Sequence, residues 1–139
     1  MINHIWSVLC ESSILDQDTK LISMINVLEE VTILDEPVPD KVLQIVVSLV
    51  TLWIRSDINV PSQGLGRYNF VSPSGEVLQS LEQIIDLTKY ERLRSRGQFA
   101  GLKLPESGQY FFNIEFRENE KDEWNSVAAI PLKVNFKKD

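Results

Sequence analysis

From Gln109 to Arg117 apolar and polar residues alternate, with Phe111 the one departure. Tyr110, Phe112, Ile114 and Phe116 share one face, and Gln109, Asn113, Glu115 and Arg117 share the other. A period of two with one apolar face predicts a half-buried antiparallel strand. The same period returns over Val127–Phe136, where Ala128, Ile130, Leu132, Val134 and Phe136 face inward and Pro131 marks an edge position. The charged stretch Glu118–Glu123 between them reads as a hairpin loop.

The rest of the chain follows this rhythm, with turn signals every 8–15 residues or so. Strands are predicted over Ile5–Glu11, Lys20–Ile33, Val42–Arg55, Arg67–Val71, Gln83–Lys89 and Arg92–Leu104. Asp16-Gln17-Asp18, Asp35–Asp40, Asn59–Gly66, Ser72–Gly75 and Pro105–Gly108 are the intervening turns and loops. One stretch is ambiguous. Glu76–Lys89 places Val77, Leu81, Ile84 and Thr88 at helical spacing behind Ser74, while Ile85 and Leu87 read as strand. The fold expected is all-β, an antiparallel two-sheet sandwich of about eight strands spanning residues 1–139 as a single domain.

The strand Val42–Arg55 is apolar on both faces. Leu43, Ile45, Val47, Leu49 and Trp53 lie on one, and Val42, Val46, Val50, Leu52 and Ile54 on the other. A sandwich strand ordinarily leaves one face to water, so something is expected to cover the second face: a loop, a second copy or a partner. A register shift at Ser48 or Thr51 is the alternative.

Length and composition agree with a self-sufficient domain. At 139 residues, 43% of them hydrophobic, the chain needs no disulfide or metal to fold. Its lone cysteine, Cys10, allows no internal bridge and no cysteine-type zinc site. With no signal-like start and no apolar run of membrane length, a cytoplasmic location is expected. The net charge of −6 argues against general nucleic-acid binding. It is unevenly spread: residues 1–40 hold eight acids and one base.

His4-Ile5-Trp6-Ser7-Val8-Leu9-Cys10, with Ser13, Asp16 and Asn26-Val27-Leu28-Glu29, resembles the start of a family of small uncharacterised bacterial proteins. Phe70, Pro73-x-Gly75-Glu76, Pro105-x-x-Gly108-x-Tyr110-x-Phe112 and Ile130-Pro131-Leu132 resemble its C-terminal half. The resemblance spans most of the chain and implies a C2-like or jelly-roll sandwich. Its motifs are structural and imply no activity.

Catalytic candidates are sparse. His4 is the only histidine, there is no Gly-x-Ser-x-Gly elbow, and Gly64-Leu65-Gly66-Arg67 lacks the remainder of a phosphate loop. Neither a metal nor a cofactor is expected. Asp16 and Asp18, with Glu118, Glu120, Asp122 and Glu123, could serve calcium only if two loops met; a solvated hairpin tip is the plainer reading. Arg92, Arg94 and Arg96 share one face of a strand, where they could hold an anion, a lipid headgroup or an acidic protein edge. Their plainer role is to pair with neighbouring carboxylates. Exposed rings among Trp6, Trp53, Phe99, Phe111 and Trp124 could form a sugar platform, although Trp6 and Trp53 read as core.

Phe111 stands on a polar face, and with Trp53 and Leu52 it is a candidate interface residue. The function expected is a non-catalytic protein-interaction or self-assembly module. The alternative is a ligand-binding module for an anion, a lipid headgroup or calcium.

Overall fold

The computed structural model describes residues 1–137. Nine strands make up its regular structure: β1 Ile2–Leu15, β2 Ile22–Val27, β3 Glu30–Ile33, β4 Val42–Arg55, β5 Ser62–Val71, β6 Val77–Leu87, β7 Arg92–Lys103, β8 Gly108–Arg117 and β9 Asn125–Phe136. They form a four-stranded sheet, β2-β1-β4-β7, and a five-stranded sheet, β3-β9-β8-β5-β6. The all-β two-sheet sandwich is therefore observed. One pair departs from the antiparallel expectation: β3 runs parallel to β9.

The predicted strand Lys20–Ile33 is two strands in different sheets. Asn26, one residue before the end of β2, takes a left-handed φ of 54°, a departure from extended backbone that asparagine tolerates. The chain then crosses from β2 to β3. The loop drawn to Gly66 ends earlier, because Gly64 and Gly66 lie inside β5. A Cβ on Gly64 would sit 2.3 Å from Phe116 Cζ, so this glycine marks close approach rather than a turn. Glu76–Lys89 holds strand β6 and no helix.

The core lies between the sheets. Trp53 from β4 meets Tyr68 and Phe70 from β5 and Tyr110, Phe112 and Ile114 from β8, all wholly buried. Phe70 packs on Phe112 and Tyr110 with ring centroids 4.6 and 5.2 Å apart. The polar atoms that Trp53 and Tyr68 carry inward are bonded: Ser95 Oγ accepts from Trp53 Nε1 at 3.1 Å and lies 2.9 Å from Tyr68 OH.

The two lateral sides of the sandwich differ. On one side β6 and β7 are clasped by side chains of β6. Gln79 donates to Gly101 O and accepts from Lys103 N–H at 3.0 and 2.9 Å, and Gln83 donates to Arg96 O at 2.8 Å. Three backbone groups on the free edge of β7 are thereby satisfied. On the other side β1 and β9 run alongside each other with no ladder between them.

Candidate functional site

The two-sided apolar pattern of β4 is covered within the chain only over its second half; nearer the start of the strand Val42 and Val46 stay exposed, at 38% and 51%. Its inward face joins the core, while on the outer face Ser48, Val50 and Leu52 are at most 8% exposed. By register, Val50 and Leu52 lie between Val8 and Trp6 of β1 and Arg96 and Arg94 of β7. Arg94 Nη2 donates to Lys20 O at 2.6 Å. Lys20 belongs to the β1–β2 turn, and β1 and β4 separate β2 from β7 in the sheet. That bond therefore requires the hairpin to fold back over the outer face. Trp53 and Leu52, interface candidates from sequence, are thus covered within the chain: Trp53 is wholly buried and Leu52 is 8% exposed.

Arg92, Arg94 and Arg96 do share the outer face of β7, opposite Ile54, Leu52 and Val50. Their neighbours are apolar, so the cross-strand carboxylates expected as partners are missing. Arg92 reaches only the adjacent Glu91, at 3.7 Å, and Arg94 is taken up by Lys20 O. The three guanidiniums do not converge on one acceptor.

Phe111 stands on the outer face of the five-stranded sheet, 37% exposed, in a row that runs Val77, Val71, Phe111, Pro131. Trp124 is enclosed by cations: the Arg67 and Arg117 guanidiniums lie 4.4 and 4.2 Å from its ring centroid. Arg67 is in turn fixed to Glu115 at 2.9 Å. A ring flanked this way ties the β8–β9 loop to the sheet and leaves no flat platform for a sugar. Asp16 caps its own turn, accepting from Asp18 and Thr19 N–H at 2.9 Å, which holds its carboxyl below the ordinary range. Among the described residues no three His, Cys, Asp or Glu side chains are placed to hold a metal.

The feature the sequence did not disclose is the open seam. β1 pairs with β4 along Ile2–Cys10, but β2 joins its other side only from Cys10 onward. β9 receives β3 only along Lys133–Phe136. The facing stretches, Ile2–Val8 and Asn125–Leu132, each have one vacant flank. Leu9 O, on that flank of β1, accepts from Leu28 N–H. Strand alternation puts the N–H and C=O of Ser7 on the same side. At the other end Met1 O bonds Ser56 N–H toward β4, which turns the backbone groups of Ile2 to the seam. β9 is the poorer hydrogen-bonding wall: Lys133 N–H points to the β3 side, so Pro131, two residues earlier, leaves a gap on that flank.

Two hollows lie along the seam. One, of about 1000 Å3, is bounded by Met1–Ile5, Phe116, the start of β9 and the β8–β9 loop. The other, of about 380 Å3, lies between Ser7–Leu9 and Ile130-Pro131. Ile2 and Phe116 are nearly buried, Ile5 and Val127 are exposed, and Glu118, Asp122 and Glu123 stand above them.

His4 and Ser7 meet at the seam wall, Nε2 to Oγ at 2.8 Å. Residues three apart on a regular strand face opposite ways; the irregularity between His4 and Trp6 brings both inward. The spacing matches a base and a nucleophile, but Ser7 Oγ also lies 2.8 Å from Thr51 Oγ1. None of the three carboxylates above the hollow bonds the imidazole. Burial pushes the His4 pKa below its ordinary 6.5, so the ring is neutral at pH 7. Its edge-to-face contact with Trp53, centroids 5.6 Å apart, fixes it as part of the wall. Cys10 lies on the opposite face of β1, buried, its thiol pKa raised by desolvation.

No protein family matches this chain, and no curated protein sequence does either. What stands of the resemblance is the sandwich architecture. No helix is long and apolar enough to cross a membrane among the described residues.

Proposed function

We propose that this chain is a non-catalytic protein-interaction module that takes an extended segment of another protein along the open flank of β1. The observation that carries the reading is the vacant flank of Ile2–Val8 beside the seam hollows. An unpaired strand edge offers its N–H and C=O groups as a template, and side pockets select alternate side chains of the added strand. The slot measures about 23 Å, seven residues at strand rise. A catalytic role is the weaker reading, since Ser7 Oγ is shared with Thr51 and no carboxylate orients His4. The bacterial family and cytoplasmic setting belong to the same proposal; the buried, unreactive thiol of Cys10 suits a reducing compartment.

Selection of a displayed random-peptide library on the immobilised protein tests it. Enrichment of alternating sequences that bind the wild type but not Ile5→Lys is expected, because a lysine on that strand blunts the edge. Selected peptides that bind both proteins alike, or no enrichment at all, would sink the reading.

A further inference from the structure

We infer that the segment taken by the β1 flank is basic, an extended peptide of alternating apolar residues with lysine or arginine at the end that lies beside Ile2–Ile5. The inference rests on the protein-interaction reading and adds the chemistry of the partner. Glu118, Asp122 and Glu123 bound the larger hollow, and among the described residues no Lys or Arg side chain lines it. Of the cations nearby, the Met1 amine is directed at Ser62 Oγ at 3.4 Å, Arg117 is turned to the Trp124 ring and to Asp122 O, and Lys121 lies in the loop itself. Asp122 is committed to its own turn, accepting from Asn119 N–H and Nδ2 at 3.1 and 3.2 Å. Among the described residues Glu118 and Glu123 have no hydrogen-bond or ion-pair partner, and they are exposed beside an apolar floor of Ile2 and Phe116. An added strand would bring its first polar side chains under these two carboxylates while its apolar side chains enter the hollow.

The hydrogen bonds of such a strand would run to β1, through the Ile2 and Ser7 groups turned to the seam, with β9 as a packing wall because of Pro131. A second copy of this chain is the poorer occupant. It carries a net charge of −6 and would approach with like charge overall, and its own β1 holds no Lys or Arg to meet Glu118 and Glu123.

The test uses the full chain and synthetic peptides of about ten residues. They share an alternating valine–serine centre and differ only in carrying Lys, Gln or Glu at both ends. Each is titrated at low and high ionic strength while backbone amide shifts are followed by NMR. The Lys peptide is expected to bind about five- to ten-fold tighter than the Glu peptide at low salt, shifting the amides of Ile2–Val8. Salt should compress that ratio toward one, and so should the Glu118→Gln/Glu123→Gln variant, which leaves the Asp122 turn in place. Equal binding of all the peptides at Ile2–Val8 overturns the basic partner and leaves the protein-interaction reading standing. No binding, or shifts confined to another surface such as the Phe111 row, overturns both.

Discussion

A single β1 residue, His4, couples the seam wall to pH. In the folded chain desolvation lowers its pKa below 6.5, while the unfolded chain keeps the ordinary value. As pH falls through 6.5 the unfolded state takes up the proton first. Stability is therefore full above that pH and declines below it until the folded group also titrates. His4→Gln should flatten this part of the profile, which thermal melts between pH 5 and 8 will read; an unchanged slope would assign the loss to other groups. Asp16, Asp35 and Asp86 have lowered pKa values, set chiefly by hydrogen bonds from Thr19, Lys41 and Thr88, so they act only in the more acid range. Gly64 is the steric counterpart. Gly64→Ala would force its methyl against Phe116 Cζ and Cε1 at 2.3 and 2.5 Å and the Arg117 carbonyl at 2.9 Å. A loss of about 1–3 kcal/mol in urea denaturation is expected from such overpacking. Neither role was legible in the sequence. The inward turn of both His4 and Ser7 depends on a bulge that no residue type announces, and a glycine that marks close approach is written like one that marks a turn.

Among the elements, β4 and β8 were legible to within a residue because long apolar runs and clean alternation leave few alternatives. The helix–strand ambiguity of β6 has a physical cause: the strand is neither fully alternating nor fully buried. Gln79, Leu81 and Gln83 turn toward β7, while Ile84 lies outward at 64% exposure. The inward glutamines are what a pattern of apolar residues misses, and they bridge one side of the sandwich. Gln79→Ala removes a donor to Gly101 O and an acceptor from Lys103 N–H. A destabilisation of about 1–3 kcal/mol is expected, with faster hydrogen exchange at the Lys103 amide. Gln79→Glu should be intermediate, since it keeps the acceptor for Lys103 and loses the donor. Unchanged exchange in Gln79→Ala would mean that water serves the β7 edge equally well.

At the scale of the molecule, the sandwich distributes its edges unequally: one side bridged by glutamines, the other open along β1, and the outer face of β4 roofed at Val50 and Leu52 by the folded-back hairpin. Of the two-sided apolar strand that sequence alone linked to self-association, this roof accounts for Val50 and Leu52, while Val42 and Val46 remain exposed. What sequence could not supply was the path of residues 16–21, because a turn signal fixes where the chain reverses and not the direction in which the hairpin then leans. Arg94 is the residue that joins roof to sheet: its stem lies beside Leu52 in register, and its guanidinium holds Lys20 O. The wild-type chain should scatter light as a monomer of 15.9 kDa at micromolar concentration. Arg94→Ala should release the turn and uncover Leu52 and Val50, raising binding of a hydrophobic dye and giving a mass that climbs with concentration. Arg94→Met keeps an apolar stem over Leu52 without the bond to Lys20, and so separates the two contributions. Dye binding raised in Ala but not in Met assigns the cover to the stem; raised in both, it assigns the cover to the latched hairpin. A monomer with wild-type dye binding in both variants would show that the hairpin holds its place without Arg94.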